Sequence, residues 1–418
     1  MLSTLITRQY DRVVSDERWL SAAEATARLG VKPQTLYAYV SRGLVRRERP
    51  PGSRTSRYAR GDVDRLAEHG RPRARPAGPE IAIDQAVTAL DPAGHLAYRG
   101  WDATRAAVDA RYEEVAAWLW GSTIGPHEHW SSDRAGLAVA RAVQAALPAD
   151  TPLPDRLRVA VAALRPCDPL RNDRRPASVA ARAGTLIATM VKALPPVDAR
   201  DEPTATGSIA LRLWTRVSPL EPTRARVRAL DRALSLLADH ELATSTFGVR
   251  IAASTWADPY LLLLTGLAVV GGPLHGGASE FVRSLLRDAV ATSPEAAIGR
   301  ALRDGEHVPG FGHSVYTGPD PRAPVLLDAI DRCTPPRELW RAAQGVLDVM
   351  ARDGGPYPNI DFALGVLGEA TRMVHGAGET IFAVGRSAGW IAHGLEEYPH
   401  RLRYRIRATY TGPDVEAR

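Results

Sequence analysis

Three glycine- and proline-rich turns hold the residues best suited to chemistry: His275 in GGPLHGGASE (271–280), His313 in VPGFGHSVYTGPDPRA (308–323) and Asp361 in YPNIDF (357–362). A histidine that can donate a hydrogen bond, a second polar histidine and a carboxylate base suit enolisation of a weak carbon acid. In such a step a proton leaves carbon while fixed donors meet the developing oxyanion. The three fragments lie far apart in sequence, so the fold has to bring them together. Glycine lets backbone approach a ligand closely, and proline fixes the turns that aim each side chain. GGPLHGG lacks the Lys-Ser/Thr of a phosphate-binding loop. His307, His375 and His393 have no metal-ligand spacing and read as core or solvated histidines, so no metal site is expected.

In this order and spacing, the three turns resemble the active-site signatures of the citrate synthase family. Further fragments carry the same resemblance: LAYRGWDA (96–103), EEVAAWLW (113–120), ADHELATSTF (238–247), IFAVGRSAGWIAHGLEE (381–397) and RIRATYTGP (405–413). It runs from about residue 80 to the end of the chain. The resemblance implies an acyltransferase that joins acetyl-CoA to oxaloacetate and then hydrolyses the citryl thioester. In that reading Asp361 removes a methyl proton, His275 donates to the enolate oxygen, and His313 donates to the oxaloacetate carbonyl. The matching oxaloacetate ligands are His240, Arg322, Arg386 and Arg405, and arginine suits bidentate carboxylate binding. In the family the last arginine comes from the partner subunit, which implies a homodimer with shared active sites. No permanently bound cofactor is implied; acetyl-CoA is a co-substrate. Propionyl-CoA in its place would make a 2-methylcitrate synthase, and one methylene changes discrimination only modestly.

Some positions depart from the family pattern. Ser314 and Thr317-Gly318-Pro319 stand where many bacterial relatives carry basic residues, and no lysine precedes YPN. Ala243 replaces an asparagine and Ile406 a proline. The missing cations would face the phosphates of CoA. That keeps open a regulator whose synthase-like domain senses a ligand and controls a DNA-binding module, and a scaffold that keeps only the fold.

The elements that must position these residues read as helices almost throughout. EEVAAWLW, RLRVAVAALR, ASVAARAGTLIATMVKAL, VRALDRALSLLADHEL, PYLLLLTGLAVV and PRELWRAAQGVLDVMARDG carry apolar residues at helical spacing. The expected fold class is therefore all-α, with any sheet confined to small hairpins. The resemblance adds a large helical domain, a small one at about 276–384, and a cleft between them holding the site. Tyr260–Leu274 is apolar but too short to span a bilayer, so it reads as a buried helix running into the His275 turn.

The N-terminal part differs in charge: residues 1–80 carry a balance of +7, and the remainder −1. Residues 1–18 read as a flexible arm, 19–70 as a helix-turn-helix module, 71–79 (RPRARPAGP) as a linker, and 80–418 as the catalytic region. Ser21-Ala-Ala-Glu24 is a capping box opening a helix through Leu29, and Pro33 suits the first turn of a second helix. Leu29, Val31, Leu36, Val40 and Leu44 supply the expected core. A basic hairpin-like stretch follows, then a helix from Asp62. This resembles the winged helix-turn-helix modules of the MerR and excisionase type. On a DNA-binding reading Gln34, Thr35, Tyr37, Ala38 and Arg42 lie along a recognition helix, while Arg46, Arg47, Arg54 and Arg57 meet phosphates or a groove edge. Only Cys167 and Cys333 are present, which excludes a disulfide framework and fits a cytoplasmic protein. No membrane segment is expected.

Overall fold

The computed structural model describes residues 19–29, 36, 39–40, 45–49, 55–63, 83–125, 128–198, 207–272, 276–305, 307–352 and 354–405. The chain divides into two compact units, 1–84 and 85–418. The expectations for the arm, for Val31, Pro33, Leu44 and the linker, and for everything beyond Arg405 lie outside the described residues.

In the first unit β1 (Trp19–Ser21) leads into α1 (Ala22–Leu29), followed by β2 (Arg47–Glu48) and β3 (Arg57–Ala59). The strands form one antiparallel sheet in the order β1-β3-β2, with Leu20 and Arg47 both opposite Tyr58. Helix α1 opens on a reciprocal cap: Ser21 N–H donates to Glu24 Oε2 (2.8 Å), and Glu24 N–H to Ser21 Oγ (3.3 Å). Leu20, Ala25, Leu36, Val45, Tyr58 and Val63 form the buried core, with Leu29 and Val40 only partly covered. Helical backbone begins at Arg60, ahead of Asp62. Asp62 lies inside that helical turn, and its carboxylate accepts from Arg46 Nε (2.8 Å), Nη2 (3.2 Å) and backbone N–H (3.1 Å).

The second unit opens with the antiparallel meander β4 (Thr88–Leu90), β5 (Leu96–Tyr98) and β6 (Trp101–Asp102). Helices α2 (Ala103–Asp109), α3 (Tyr112–Leu119), α4 (Arg134–Ala145), α5 (Leu153–Leu164) and α6 (Pro176–Ala193) follow. Next come α7 (Ile209–Val217), α8 (Arg224–Leu236), α9 (Thr244–Ser254) and α10 (Pro259–Val270). The chain then forms α11 (Ala278–Ala291), α12 (Pro294–Asp304), α13 (Arg322–Asp331) and α14 (Arg337–Arg352), before α15 (Ile360–Ala370) and α16 (Ala377–Glu397). Among the described residues no helix is long and apolar enough to cross a membrane. One hydrophobic cluster runs from Val87 to Tyr398.

Two helical expectations change. The apolar pattern over 227–242 predicts one helix, but α8 stops at Leu236. Beyond it Asp239 Oδ2 accepts from Glu241 N–H (3.1 Å), and Glu241 takes φ +55°, so ADHEL is a turn rather than a helix end. Helix α10 is also not buried all round: Leu262, Leu263, Gly266 and Leu267 are covered, while Ala268 is exposed.

Helix α16 is the spine that presents one candidate residue. Trp390 is wholly buried in it, and Gly389 lets the 238–239 backbone approach so closely that a Cβ there would collide with Ala238 O and Asp239. Gly389 N–H donates out of the helix to Ala238 O (2.9 Å), and Tyr112 Oη donates to Val384 O (2.6 Å). The helix stretch carrying Arg386 is thereby tied to the ADHEL turn.

Candidate active site

Two loops from distant parts of the sequence are sewn together. Gly312 N–H donates to Tyr357 O (2.8 Å), Asn359 N–H to Gly310 O (2.9 Å), and Asn359 Nδ2 to Gly312 O (2.8 Å). Gly310 and Gly312 take φ +82° and +80°, which glycine alone adopts without strain. Asn359 also caps α15, its Oδ1 accepting from the N–H groups of Asp361 (2.9 Å) and Phe362 (3.3 Å). Capping falls to Asn359, so among the described residues the carboxylate of Asp361 is left uncommitted in the first turn, on the element sewn to the His313 loop.

His313 has its proton placed by the backbone. Its Nδ1 accepts from Val315 N–H (3.0 Å) and Tyr316 N–H (3.3 Å), so the neutral ring must carry its hydrogen on Nε2. Burial first, then the nearby Arg322 guanidinium, pushes its pKa down to about 4. The ring is therefore a neutral Nε2–H donor at pH 7. Tyr316 packs 4.6 Å from it, centroid to centroid, and Tyr316 Oη lies 2.9 Å from His240 Nε2. His240 is buried with its ring 5.0 Å from that of His313. Burial, then Arg322 and Arg386, holds its pKa well below the ordinary value.

The two buried arginines are held differently. Arg322 Nε and Nη2 donate to Asp320 Oδ1 (2.9 Å) and Oδ2 (2.8 Å), and Asp320 Oδ2 also accepts from Ile360 N–H (3.0 Å). Asp320 thus joins Arg322 to the residue preceding Asp361. Burial alone would raise the Asp320 pKa, but Arg322 outweighs it and keeps the carboxylate ionised. Arg386 Nε donates to Leu237 O (2.8 Å), while its buried Nη1 has no hydrogen-bond partner among the described residues. Asp239 is fully buried, accepting from Thr88 Oγ1 (2.5 Å) and facing His393 Nε2 at 3.2 Å. His393 Nδ1 faces Arg250 Nη1 (3.0 Å), and arginine can only donate, so His393 carries its proton toward Asp239. His393 is thus a core histidine within an ion network.

Asp361 is partly buried, and burial raises its pKa to about 6 against the opposing pull of Arg322 and Arg386. The arrangement combines a carboxylate of enhanced basicity, a neutral N–H donor and an unpartnered buried guanidinium corner. Such a corner is costly unless a ligand oxygen fills it. This set can bind a small carboxylate, take a proton from carbon and stabilise an oxyanion.

Beside His313 opens a cavity of about 670 Å³, walled by Ile298, Val308, Phe311, Met350 and Pro356. Among the described residues lining it there is no lysine or arginine.

The structure brings His240, His313, Arg322, Asp361 and Arg386 into one electrostatic neighbourhood. Arg405 is exposed. His275, Gln34, Thr35, Tyr37, Ala38, Arg42 and Arg54 lie outside the described residues. Arg46 is committed to Asp62, while Arg47 and Arg57 are exposed on β2 and β3. Sequence reasoning missed Asp320, Tyr316, Asp239 and His393 as partners. The signal was available for two of them: Tyr316 follows His313 by three residues, and Asp320 precedes Arg322 by two.

Comparison with known proteins gives the same picture over a long span. The family model "Citrate synthase, C-terminal domain" matches residues 80–408. Citrate synthase 2 of Bacillus subtilis (strain 168) is 31% identical over 348 residues, covering 77% of this chain and 91% of that protein. The citrate synthase of Haloferax volcanii is 30% identical over 346 residues, covering 77% and 90%. The crystal structure of citrate synthase from Pyrobaculum aerophilum superposes with a TM-score of 0.65 at 26% identity, over 81% of this chain and 92% of that one. By these matches and by the fold they share, the chain belongs to the citrate synthase family.

Proposed function

We propose that this protein condenses acetyl-CoA with oxaloacetate and hydrolyses the resulting thioester to citrate and CoA. Family membership supports the reaction. The observation that carries the residue assignment is the fixed Nε2–H of His313 beside Arg322, on a loop sewn to the start of the helix bearing Asp361. Asp361 takes a methyl proton of acetyl-CoA, and His275 donates to the enolate oxygen. The enolate carbon attacks the oxaloacetate carbonyl, whose oxygen receives the hydrogen bond of His313 Nε2. Arg322, Arg386 and His240 hold the oxaloacetate carboxylates, the free Nη1 of Arg386 supplying an unused donor. Water then cleaves the citryl thioester and CoA leaves as the thiol.

The apolar cavity beside His313 takes the pantetheine arm of the acyl-CoA. Among its described lining residues there is no cation to reach toward the CoA phosphates, so a high KM for acetyl-CoA is expected. Two chains form a homodimer in which Arg405 completes the partner's site. The N-terminal unit is a helix-turn-helix module that binds DNA through basic residues, among them the exposed Arg47 and Arg57.

Thiol release followed with oxaloacetate plus acetyl-CoA or propionyl-CoA tests the reaction. Turnover with acetyl-CoA exceeding that with propionyl-CoA is expected. Folded, dimeric protein that releases thiol from neither would overturn the assignment.

A further inference from the structure

A second cavity, of about 620 Å³, lies where α11 and α15 end, at the opposite end of α15 from Asp361. Arg226, Arg287 and Arg372 converge on it, against an apolar wall that includes Val290, Pro336 and Leu339. We propose that this cavity binds a small phosphate-bearing molecule, its phosphate held by the three guanidiniums and its apolar part lying on that wall.

Three observations support the site. Arg372 is exposed and has no side-chain partner among the described residues; its backbone takes φ +54°. That backbone belongs to the end of α15, where Arg372 N–H donates to Glu369 O (3.3 Å) and Met373 N–H to Gly368 O (2.8 Å), a cap in which the guanidinium itself takes no part. Arg226 is committed only to a neutral acceptor, Nη1 donating to Glu221 O (3.0 Å). Arg287 Nη1 donates to Glu369 Oε2 (3.0 Å), but that same oxygen also accepts from Arg283 Nε (3.2 Å). A phosphate can therefore take over Arg287 without leaving Glu369 unpaired. Glu338 and Glu369 are the opposing charges in the lining, two carboxylates against three guanidiniums, which leaves a balance of +1. Planar guanidiniums bind phosphate through paired N–H groups, which gives the site its anion class.

Cys333 also lines the cavity and reports on it, its partly buried Sγ donating to Ala329 O (3.3 Å). The probe is inorganic pyrophosphate, titrated calorimetrically into the full-length protein and into the Arg226→Gln/Arg372→Gln double variant at matched ionic strength. Affinity at least about tenfold weaker in the folded double variant is expected when two charge-assisted contacts are removed. At ten times its Kd, pyrophosphate should also slow iodoacetamide alkylation of Cys333 about tenfold, with Cys167 unchanged as internal control. Absence of binding, or an affinity equal in the double variant, overturns the proposal. So does a Cys333 that alkylates at an unaltered rate with pyrophosphate bound. Should Cys333 resist the reagent altogether, the calorimetric comparison alone decides. Thiol release enters neither readout, so failure here leaves the proposed reaction standing.

Discussion

At the scale of single residues, the carboxyl of Asp361 carries a cost that its proposed role explains. Its pKa of about 6 lies above the ordinary 3.8, so the folded state penalises the charge it must bear to act as a base. Between those values the folded chain holds the proton more tightly than the unfolded chain. Stability therefore falls as pH rises through that window, and the full penalty is present above it. Asp361→Asn should be more stable than the parent at pH 7, by up to about 3 kcal/mol, while the difference vanishes below about pH 4. Urea denaturation at the two pH values measures this. The same substitution should lower turnover by about 10²–10⁴-fold, the usual worth of a positioned general base. In the parent protein, kcat/KM for acetyl-CoA at saturating oxaloacetate should fall tenfold per unit as pH drops below about 6. A profile flat to pH 5 would remove Asp361 as the base.

Between elements, the decisive contact is the seam joining the 308–316 loop to the start of α15. Gly310 is its tightest point: a Cβ there would lie 2.7 Å from Val282 Cγ2 and 2.8 Å from Phe362 Cβ, at φ +82°. Gly310→Ala should destabilise the protein by about 2–4 kcal/mol, combining overpacking with a left-handed alanine. Its effect on catalysis should exceed its effect on folding. Protein that remains folded in the cold should still lose most activity, because His313 and Asp361 would no longer face one ligand. Circular dichroism melts set beside thiol-release rates separate the two effects. Retained activity at reduced Tm would show the seam to be only a packing feature.

For the whole molecule, the proposed dimer and DNA module make separate predictions. If Arg405 serves the partner's site, mixing inactive Arg405→Ala and Asp361→Ala subunits should restore activity, because one site of each mixed dimer can be complete. Subunit exchange is verified by mass photometry or tagged pull-down; exchange with no recovered turnover argues for a site built within one chain. The basic N-terminal unit should give DNA affinity that falls linearly with log salt concentration, as counterions are released from phosphates. Fluorescence anisotropy with full-length protein in low salt measures the slope. No binding there would reassign the unit to assembly.

Periodicity alone locates most of the helices, because a 3.6-residue apolar repeat has to face a core wherever the chain goes: α6, α10 and α14 lie within a residue or two of their sequence patterns. Short motifs likewise mark Ser21–Glu24 as a cap and His313 and Asp361 as candidates for chemistry, while Arg322 is singled out only by the family resemblance. What the sequence could not decide depends on partners far along the chain. The end of α8 is set when Asp239 turns toward Thr88 and His393, some 150 residues away in either direction. Strand β1 is only three residues long and gains its identity by pairing with β3. The tautomer of His313 follows from two backbone N–H groups that its loop happens to aim inward. The basicity of Asp361 follows from burial beside Asp320 and Arg322. Propensity and pattern are written residue by residue, whereas proton positions, pKa values and unpaired guanidinium corners are properties of an environment that exists only once the chain has folded.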